Sequence, residues 1–382
     1  MTNHNRTCNL ADFRDPTIRE LIRAIFAHEI PLFPAEYPDG VADSKQWEIA
    51  MGIRALREFG ALRPDARMLG IGAGTEATTF YLSRHVRQVV ATDIYAGAGP
   101  WADVAPSGFL ADPTAFAAGI ACDPRRILPL HQDARALDLP DEEFDGVYSS
   151  GSIEHFGSLA AVANAAHEIG RVLRPGGIAT IATEFKVAGP PDGNGWDPSV
   201  ILFSPAKLQR YIVEASGLEP VDELRTELDE ETLSVRRDLL GFLNAAKKVT
   251  HPAQKTSVYP NLILYHEGYL FCSVHLALRK PMTGWGASNS WAAPDAATRE
   301  AVSVGKREAT AALARNVSGS LVDFFGETST PVQFDSGDLS GRLARAEAEI
   351  AALRSSTSWR ITGPLRRAMR LAHRLRNGAA TP

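Results

Sequence analysis

Apolar residues along this 382-residue chain switch between two spacings, and each switch marks an element. Residues 1–43 read as an N-terminal helical segment. Trp47, Met51, Ala55 and Phe59 then fall on one face, which predicts a helix opening at Ser44 and stopping at Gly60. Beyond it, short apolar runs and helical stretches take turns. Arg67–Ile71 is an apolar run into glycines, Glu76–Val86 a helix, and QVVATD (Gln88–Asp93) a β-branched strand. ILPLHQD and FDGVYSS read as two further strands. A helix over Leu159–Leu173 ends at Arg174-Pro175-Gly176-Gly177, and IATIATEF follows as a buried strand. Ser204-Pro205 opens a helix to about Ser216, with Gly217 as its stop. Tyr269–Arg279 is long enough to be a late strand. Strands alternating with helices imply βαβ crossovers and a mostly parallel sheet.

The remaining stretches break this rhythm. Residues 96–126 are rich in Ala, Gly and Pro and show no period. Residues 225–268 exceed an ordinary connection and read as an inserted helical cap within a domain spanning 44–280. These two stretches match no motif and are expected to build the acceptor pocket. Residues 281–337 read as a linker with weak helices such as Asp295–Ala314. In 338–382, Leu339, Leu343, Ala346, Ile350 and Leu353 repeat at 4-3-4-3 spacing, a short coiled-coil stripe. A basic amphipathic helix over Ile361–Arg376 follows it.

Composition narrows the class. Hydrophobic residues make up 45% and charged residues 22%, which is globular usage. No apolar run reaches the ~20 residues of a membrane span, and MTNHNRTCNLADFRD lacks the apolar core of a secretory leader. Three scattered cysteines support neither a disulfide framework nor a zinc site. A cytoplasmic protein without a metal is the expectation. The net charge of −5 hides an asymmetry: residues 338–382 hold nine arginines and three acids, leaving 31 basic and 42 acidic residues elsewhere. An acidic body argues against a nucleic-acid partner.

Candidate chemistry begins at Met68-Leu69-Gly70-Ile71-Gly72-Ala73-Gly74-Thr75-Glu76, where a strand runs into alternating glycines. Glycines there permit positive φ and a close approach of backbone to ligand. Thr75 and Ala77 stand where a dinucleotide fingerprint needs glycine, which disfavours a pyrophosphate cradle. Asp93 lies 19 residues past Gly74, close to the ~20 expected of an acid that accepts from ribose hydroxyls. Asp133 follows the next strand, placed to accept from an adenine amino group. SSGSIEHFG follows FDGVYSS at the strand edge where open α/β sheets bind ligands. Its His155 is either structural or a general base, and Glu154 precedes it.

The ordered set GIGAG, VVATD, HQDA, FDGVYSSGSIEHF and LRPGGIATI resembles the class I S-adenosylmethionine-dependent methyltransferases over roughly residues 45–220. The resemblance implies a Rossmann-like doubly wound α/β fold with a mostly parallel seven-stranded sheet, helical insertions and a C-terminal coiled-coil tail. It implies S-adenosylmethionine as cofactor, with Gly70, Gly72 and Gly74 at its methionine end. Asp93 would hold the ribose and Ile94 face the adenine. Asp133 and Ala134 would read the adenine edge, and Ser150 would line the floor. Arg174-Pro175-Gly176-Gly177 would be a structural turn. Many members carry an acid where this chain has Gly70 and a glycine where it has Glu76, so Glu76 stands in for the missing acid.

Ser355–Arg367 (SSTSWRITGPLRR) is similar to tails of bacterial surface-polysaccharide enzymes. That likeness implies a small-molecule or glycan hydroxyl as acceptor, methylated by a protein that is cytoplasmic or peripheral at the inner membrane face. The tail itself implies membrane contact or self-association. Two other readings stay open: a non-catalytic S-adenosylmethionine-binding scaffold, and an NAD(P)-dependent sugar oxidoreductase or epimerase. The latter calls for a Tyr-x-x-x-Lys pair, and the sequence has none.

Overall fold

A computed structural model describes residues 3–33, 35–95, 104–191, 193–249, 258–286 and 288–325. The N-terminal residues form a short strand, β1 (Arg6–Thr7), a 3-10 turn, and helix α1 (Pro16–Ile25). Helix α2 (Ser44–Glu58) is capped by Asp43, whose carboxylate accepts from the Lys45 amide, rather than by Ser44. Every residue of α2 from Gln46 to Leu56 is buried, so the one apolar face read from the sequence understates its contacts. A Cβ on Gly52 would sit 3.3 Å from Thr180 Oγ1, so the helix lies close on the sheet.

The central strands are β2 (Arg67–Ile71), β3 (Gln88–Asp93), β4 (Ile127–His131), β5 (Phe144–Ser150) and β6 (Leu173–Ala188). Between them run α3 (Ala77–Leu82) and α4 (Leu159–Val172), the latter capped by Ser158. After β6 come α5 (Pro205–Leu208), continued by a π-helical stretch, then β7 (Glu219–Pro220), α6 (Glu230–Ser234) and β8 (Arg237–Asp238). Helix α7 (Leu239–Lys248), β9 (Ile263–His266), β10 (Tyr269–Arg279) and α8 (Ala296–Phe325) complete the described chain.

The strands join in the order β4-β3-β2-β5-β6-β10-β9-β8, with β1 and β7 also paired to β10. The block from β4 to β6 is parallel, while β10 runs antiparallel to β6 and β9. Among the described residues the sheet is therefore mixed and ten-stranded, not the seven-stranded, mostly parallel sheet expected. Several added strands are only two residues long, too short for any period to reveal. The central strands β2, β3 and β5 are nearly continuous buried runs because layers cover both faces.

Three other differences from the sequence reading have local causes. The stretch 225–268 is not a purely helical cap, because β8 and β9 extend the sheet edge. Arg174-Pro175-Gly176-Gly177 does not precede β6 but forms an irregularity inside it, with Gly176 at φ +79°. The described part of the connection after β3 holds short 3-10 turns pinned by ring contacts among Phe80, Tyr95, Phe109 and Phe116. The coiled-coil and basic-helix expectation for 338–382 lies outside the described residues. Among those described, no helix is long and apolar enough to cross a membrane.

Strand β2 lies between β3 and β5, so the chain reverses its direction of travel across the sheet there. The crevice beyond the carboxyl ends of those strands is where open α/β sheets take ligands.

Candidate functional site

The glycine turn leaves β2 at this crevice. Gly72 (φ +60°) and Gly74 (φ +47°) hold left-handed backbone that a side chain would strain. A Cβ on Gly72 would fall 2.6 Å from Ser152 Cβ, and one on Gly74 would fall 2.8 Å from the Val104 carbonyl oxygen. Gly70 is set apart from these two. It lies inside β2, where a Cβ would come within 2.5 Å of the Tyr148 ring, so packing accounts for it.

Asp93 ends β3 and shapes the same turn. One carboxylate oxygen accepts from the Gly74 amide at 2.8 Å and the other from the Ile94 amide at 2.7 Å. Burial raises its pKa, and these two amides oppose the rise. The Tyr95 hydroxyl donates to the Gly74 carbonyl at 2.8 Å. The Ile94 side chain next to it is 51% exposed, an apolar face at the rim. Across the crevice, the Gln132 amide donates to the Asp93 carbonyl, bringing the end of β4 alongside. Asp133 there forms an ion pair with Arg135 at 2.6 Å, and Ala134 is half-buried.

On the other side of the turn lies a charged cluster, of which sequence reading named Glu76, Ser150 and Glu154. Lys45 and Glu48 come from the start of α2, and Glu184 comes from β6. The Lys45 ammonium donates to Glu48 at 2.6 Å and to the Ser150 carbonyl at 3.1 Å. It lies where a Cβ on Gly151 would come within 2.4 Å of Nζ. Glu48 also accepts from Ser273 Oγ of β10 at 2.6 Å. Glu154 is buried and accepts from Thr183 Oγ1 at 2.9 Å. The Nδ1 of His155 is 3.0 Å from the Ser199 carbonyl, and its Nε2 is 3.8 Å from Glu154.

The electrostatics follow from this crowding. Burial pushes the Glu76 carboxyl up to about 7, although Lys45 and a hydrogen bond from Thr78 pull it down. Burial and the neighbouring Glu154 and Glu48 carboxylates push Glu184 up to about 8. Burial alone would lower the Lys45 ammonium, but Glu48, Glu76 and Glu154 outweigh it and hold its pKa above the ordinary value. The Glu184 carboxyl has no hydrogen-bond or ion-pair partner among the described residues. These same residues include no group of three or more His, Cys, Asp or Glu placed to hold a metal.

Lys45, Glu48 and Glu184 carried no sequence signal. They sit in a helix and a strand of mixed polar and apolar residues that match no motif, and only the fold brings them together. The stretches 96–126 and 225–268 supply none of these carboxylates.

Residues 69–181, from β2 into β6, match the model of the family described as a methyltransferase domain. No curated protein matches the chain significantly. Among solved structures, the [4+2]-cyclase SpnF is similar at 18% identity, with 74% of this chain and 100% of that chain covered and a TM-score of 0.42. The geranyl diphosphate C-methyltransferase of Streptomyces coelicolor A3(2) is similar at 13% identity, covering 73% and 89%, with a TM-score of 0.39. The YcgJ protein of Bacillus subtilis is similar at 17% identity, covering 61% and 100%, with a TM-score of 0.36. Likeness at these scores says nothing of the reaction. The match over 69–181 marks that segment as similar to a methyltransferase domain, and the sheet that carries it has a Rossmann-like α/β fold.

Proposed function

We propose that this protein moves the methyl group of S-adenosylmethionine to a hydroxyl of a small-molecule or glycan acceptor, such as a sugar or a polysaccharide or glycolipid precursor. The observation that carries this reading is Glu184, which stands among Lys45, Glu48 and Glu154 without a hydrogen-bond or ion-pair partner among the described residues, its pKa raised to about 8. Residues 180, 182 and 184 of β6 share one face, turned toward α2, and Glu184 projects past the end of β5, where Ser150 pairs with Ala182. When bound, the cofactor supplies an electrophilic methyl that already carries its leaving group. The protein's part is alignment, exclusion of water and removal of the acceptor proton. Ionised Glu184 takes that proton. Glu48 and Glu154 have lone pairs left to accept from neighbouring hydroxyls, which suits a polyhydroxylated acceptor.

The residues present suit the cofactor. Gly72 and Gly74 leave the turn bare of side chains, and Asp93 offers its remaining lone pairs to ribose hydroxyls. Exposed Ile94 gives the adenine an apolar face, with Asp133 and Ala134 at its edge and Ser150 on the floor. Asp93→Ala should weaken binding of S-adenosylhomocysteine by about 1.5–3 kcal/mol, because a charge-assisted bond is lost. Calorimetry reads this directly, and equal affinity in both proteins would remove Asp93 from the site.

Methyl transfer from labelled cofactor to a panel of sugars, sugar nucleotides and amines tests the acceptor class. The expected result is methylated hydroxyls, at a rate that climbs with pH through a single group near 8 and then levels. The sign follows from Glu184 acting only when ionised. Transfer to amines alone would overturn the hydroxyl assignment. Cofactor binding with no transfer to any acceptor would favour the scaffold reading.

For the tail we retain membrane contact or self-association, on its charge and heptads. Removing residues 338–382 should leave cofactor affinity unchanged, because the glycine turn, Asp93 and Asp133 all lie far before them in the chain. Liposome flotation should fall on truncation, and flotation of the full chain should fall with salt, since exposed charges are screened beyond ~8 Å. Unchanged flotation and sedimentation would leave the tail as a solvated helix.

A further inference from the structure

Past Glu184, strand β6 carries a second charged group on the same face. Side chains alternate along a strand, so Glu184 and Lys186 are successive positions of that face. Where β5 has ended, residues 201–203 become their neighbour. The Phe203 amide donates to the Glu184 carbonyl at 2.9 Å, and the Lys186 amide to the Phe203 carbonyl at 2.8 Å. The loop between is drawn back to the strand end. The Lys186 ammonium donates to the carbonyls of Pro190, Pro191 and Gly193 at 2.9, 3.1 and 3.4 Å. Gly193 rests against Tyr269, whose hydroxyl oxygen lies 1.9 Å from where a Cβ would stand.

Lys207, on α5, donates to the same Gly193 carbonyl at 3.2 Å. Two half-buried ammonium groups thus share one oxygen, and no carboxylate pairs with either among the described residues. Lys186 commits all three N–H donors to carbonyls, which fix the loop but cancel no charge. Lys207 commits one and keeps two. Burial and the adjacent Lys186 ammonium hold Lys207 below the ordinary lysine pKa, as two uncompensated like charges should.

We propose that Lys186 and Lys207 bind a phosphoryl group carried by the acceptor, outward along β6 from the hydroxyl that meets Glu184. The inference deepens the hydroxyl-transfer reading and rests on it for the acceptor, though not for the anion. A phosphoryl dianion offsets both charges. Its oxygens take the two open N–H groups of Lys207, while Lys186 holds the loop and adds its charge. Lysine meets phosphate as a point charge, whereas a planar carboxylate is better matched by the fork of an arginine. Sugar monophosphates and sugar nucleotides share this chemistry.

Calorimetry on the full chain at low salt, with pyrophosphate as probe and malonate as its dicarboxylate counterpart, tests the anion site. Pyrophosphate should bind the parent at least tenfold more tightly than malonate. Lys207→Met should weaken pyrophosphate roughly 10- to 100-fold, because a charge-assisted contact is lost. Lys207→Arg keeps the charge and should retain most of the affinity. Unchanged affinity for S-adenosylhomocysteine in both variants reports an intact domain. A parent that does not bind pyrophosphate, a Lys207→Met variant that binds it equally well, or malonate bound as tightly would each overturn the phosphoryl site. Within the acceptor panel, sugar monophosphates and sugar nucleotides set beside the same sugars unphosphorylated should be methylated at least tenfold faster. Whichever of the two is preferred identifies the source of the phosphoryl group, and Lys207→Met should erase the preference. Transfer indifferent to phosphate would overturn the phosphoryl site and keep the hydroxyl reading. No transfer to any sugar, beside pyrophosphate binding that depends on Lys207, would overturn the hydroxyl reading and keep the anion site.

Discussion

Replacing Glu184 by Gln should lower methyl transfer by about 10²- to 10⁴-fold while cofactor affinity stays close to that of the parent. The side chain keeps its shape and loses only its ability to take a proton. The remaining rate should no longer climb through pH 8, because the group responsible for that rise is gone. The same variant should gain stability in alkaline solution. An acid whose folded pKa is raised from 4.5 to about 8 binds more protons folded than unfolded between those values. Its contribution is therefore whole below 4.5 and is lost as pH rises through about 8. Glutamine never ionises, so its melting temperature should exceed that of the parent at pH 9 and match it more closely at pH 5. Thermal unfolding at both values, beside initial rates, reads the two effects together. If Glu184→Gln turns over normally while His155→Ala falls 10²-fold or more, the proton goes to His155 instead.

Gly72→Val should abolish cofactor binding, a loss beyond 100-fold, in a chain that still folds. A β-branched residue at φ +60° is strained by on the order of 1–3 kcal/mol. Its Cβ would also lie 2.6 Å from Ser152, so the turn must move out of the crevice. Far-ultraviolet circular dichroism checks folding, and calorimetry with S-adenosylhomocysteine checks binding. Retained binding would make the turn structural only. Gly70→Val should behave differently. Its side chain would drive into the Tyr148 ring within the sheet, so its first effect should be a lowered melting temperature.

That contrast shows where sequence reading reaches its limit. Three alternating glycines look alike in a string of letters, yet one serves packing and two serve a turn. The strands Gln88–Asp93, Phe144–Ser150 and Tyr269–Arg279 were legible to the residue, because each is an apolar run bounded by turn residues. The direction of Tyr269–Arg279 was not, since an apolar run reads the same in a parallel or antiparallel neighbour. Asp93 was legible because one βα unit sets its distance from the glycine turn, and Asp133 because it follows directly on the next strand. Lys45, Glu48 and Glu184 were hidden, because no spacing along the chain reports that the start of α2 lies over the ends of β5 and β6.

The position of β10 sets a timetable for synthesis. Arg6 and Thr7 find their partners at His275 and Val274, and the Asn5 side chain accepts from the Ala277 amide. Strand β1 thus leaves the ribosome long before the strand that pairs it. Glu48, held by Ser273, likewise waits for β10. Until residue 279 has emerged, β6 presents an open apolar edge on a chain already more than two hundred residues long. Nascent chains halted before that point should be the ones that need chaperone protection.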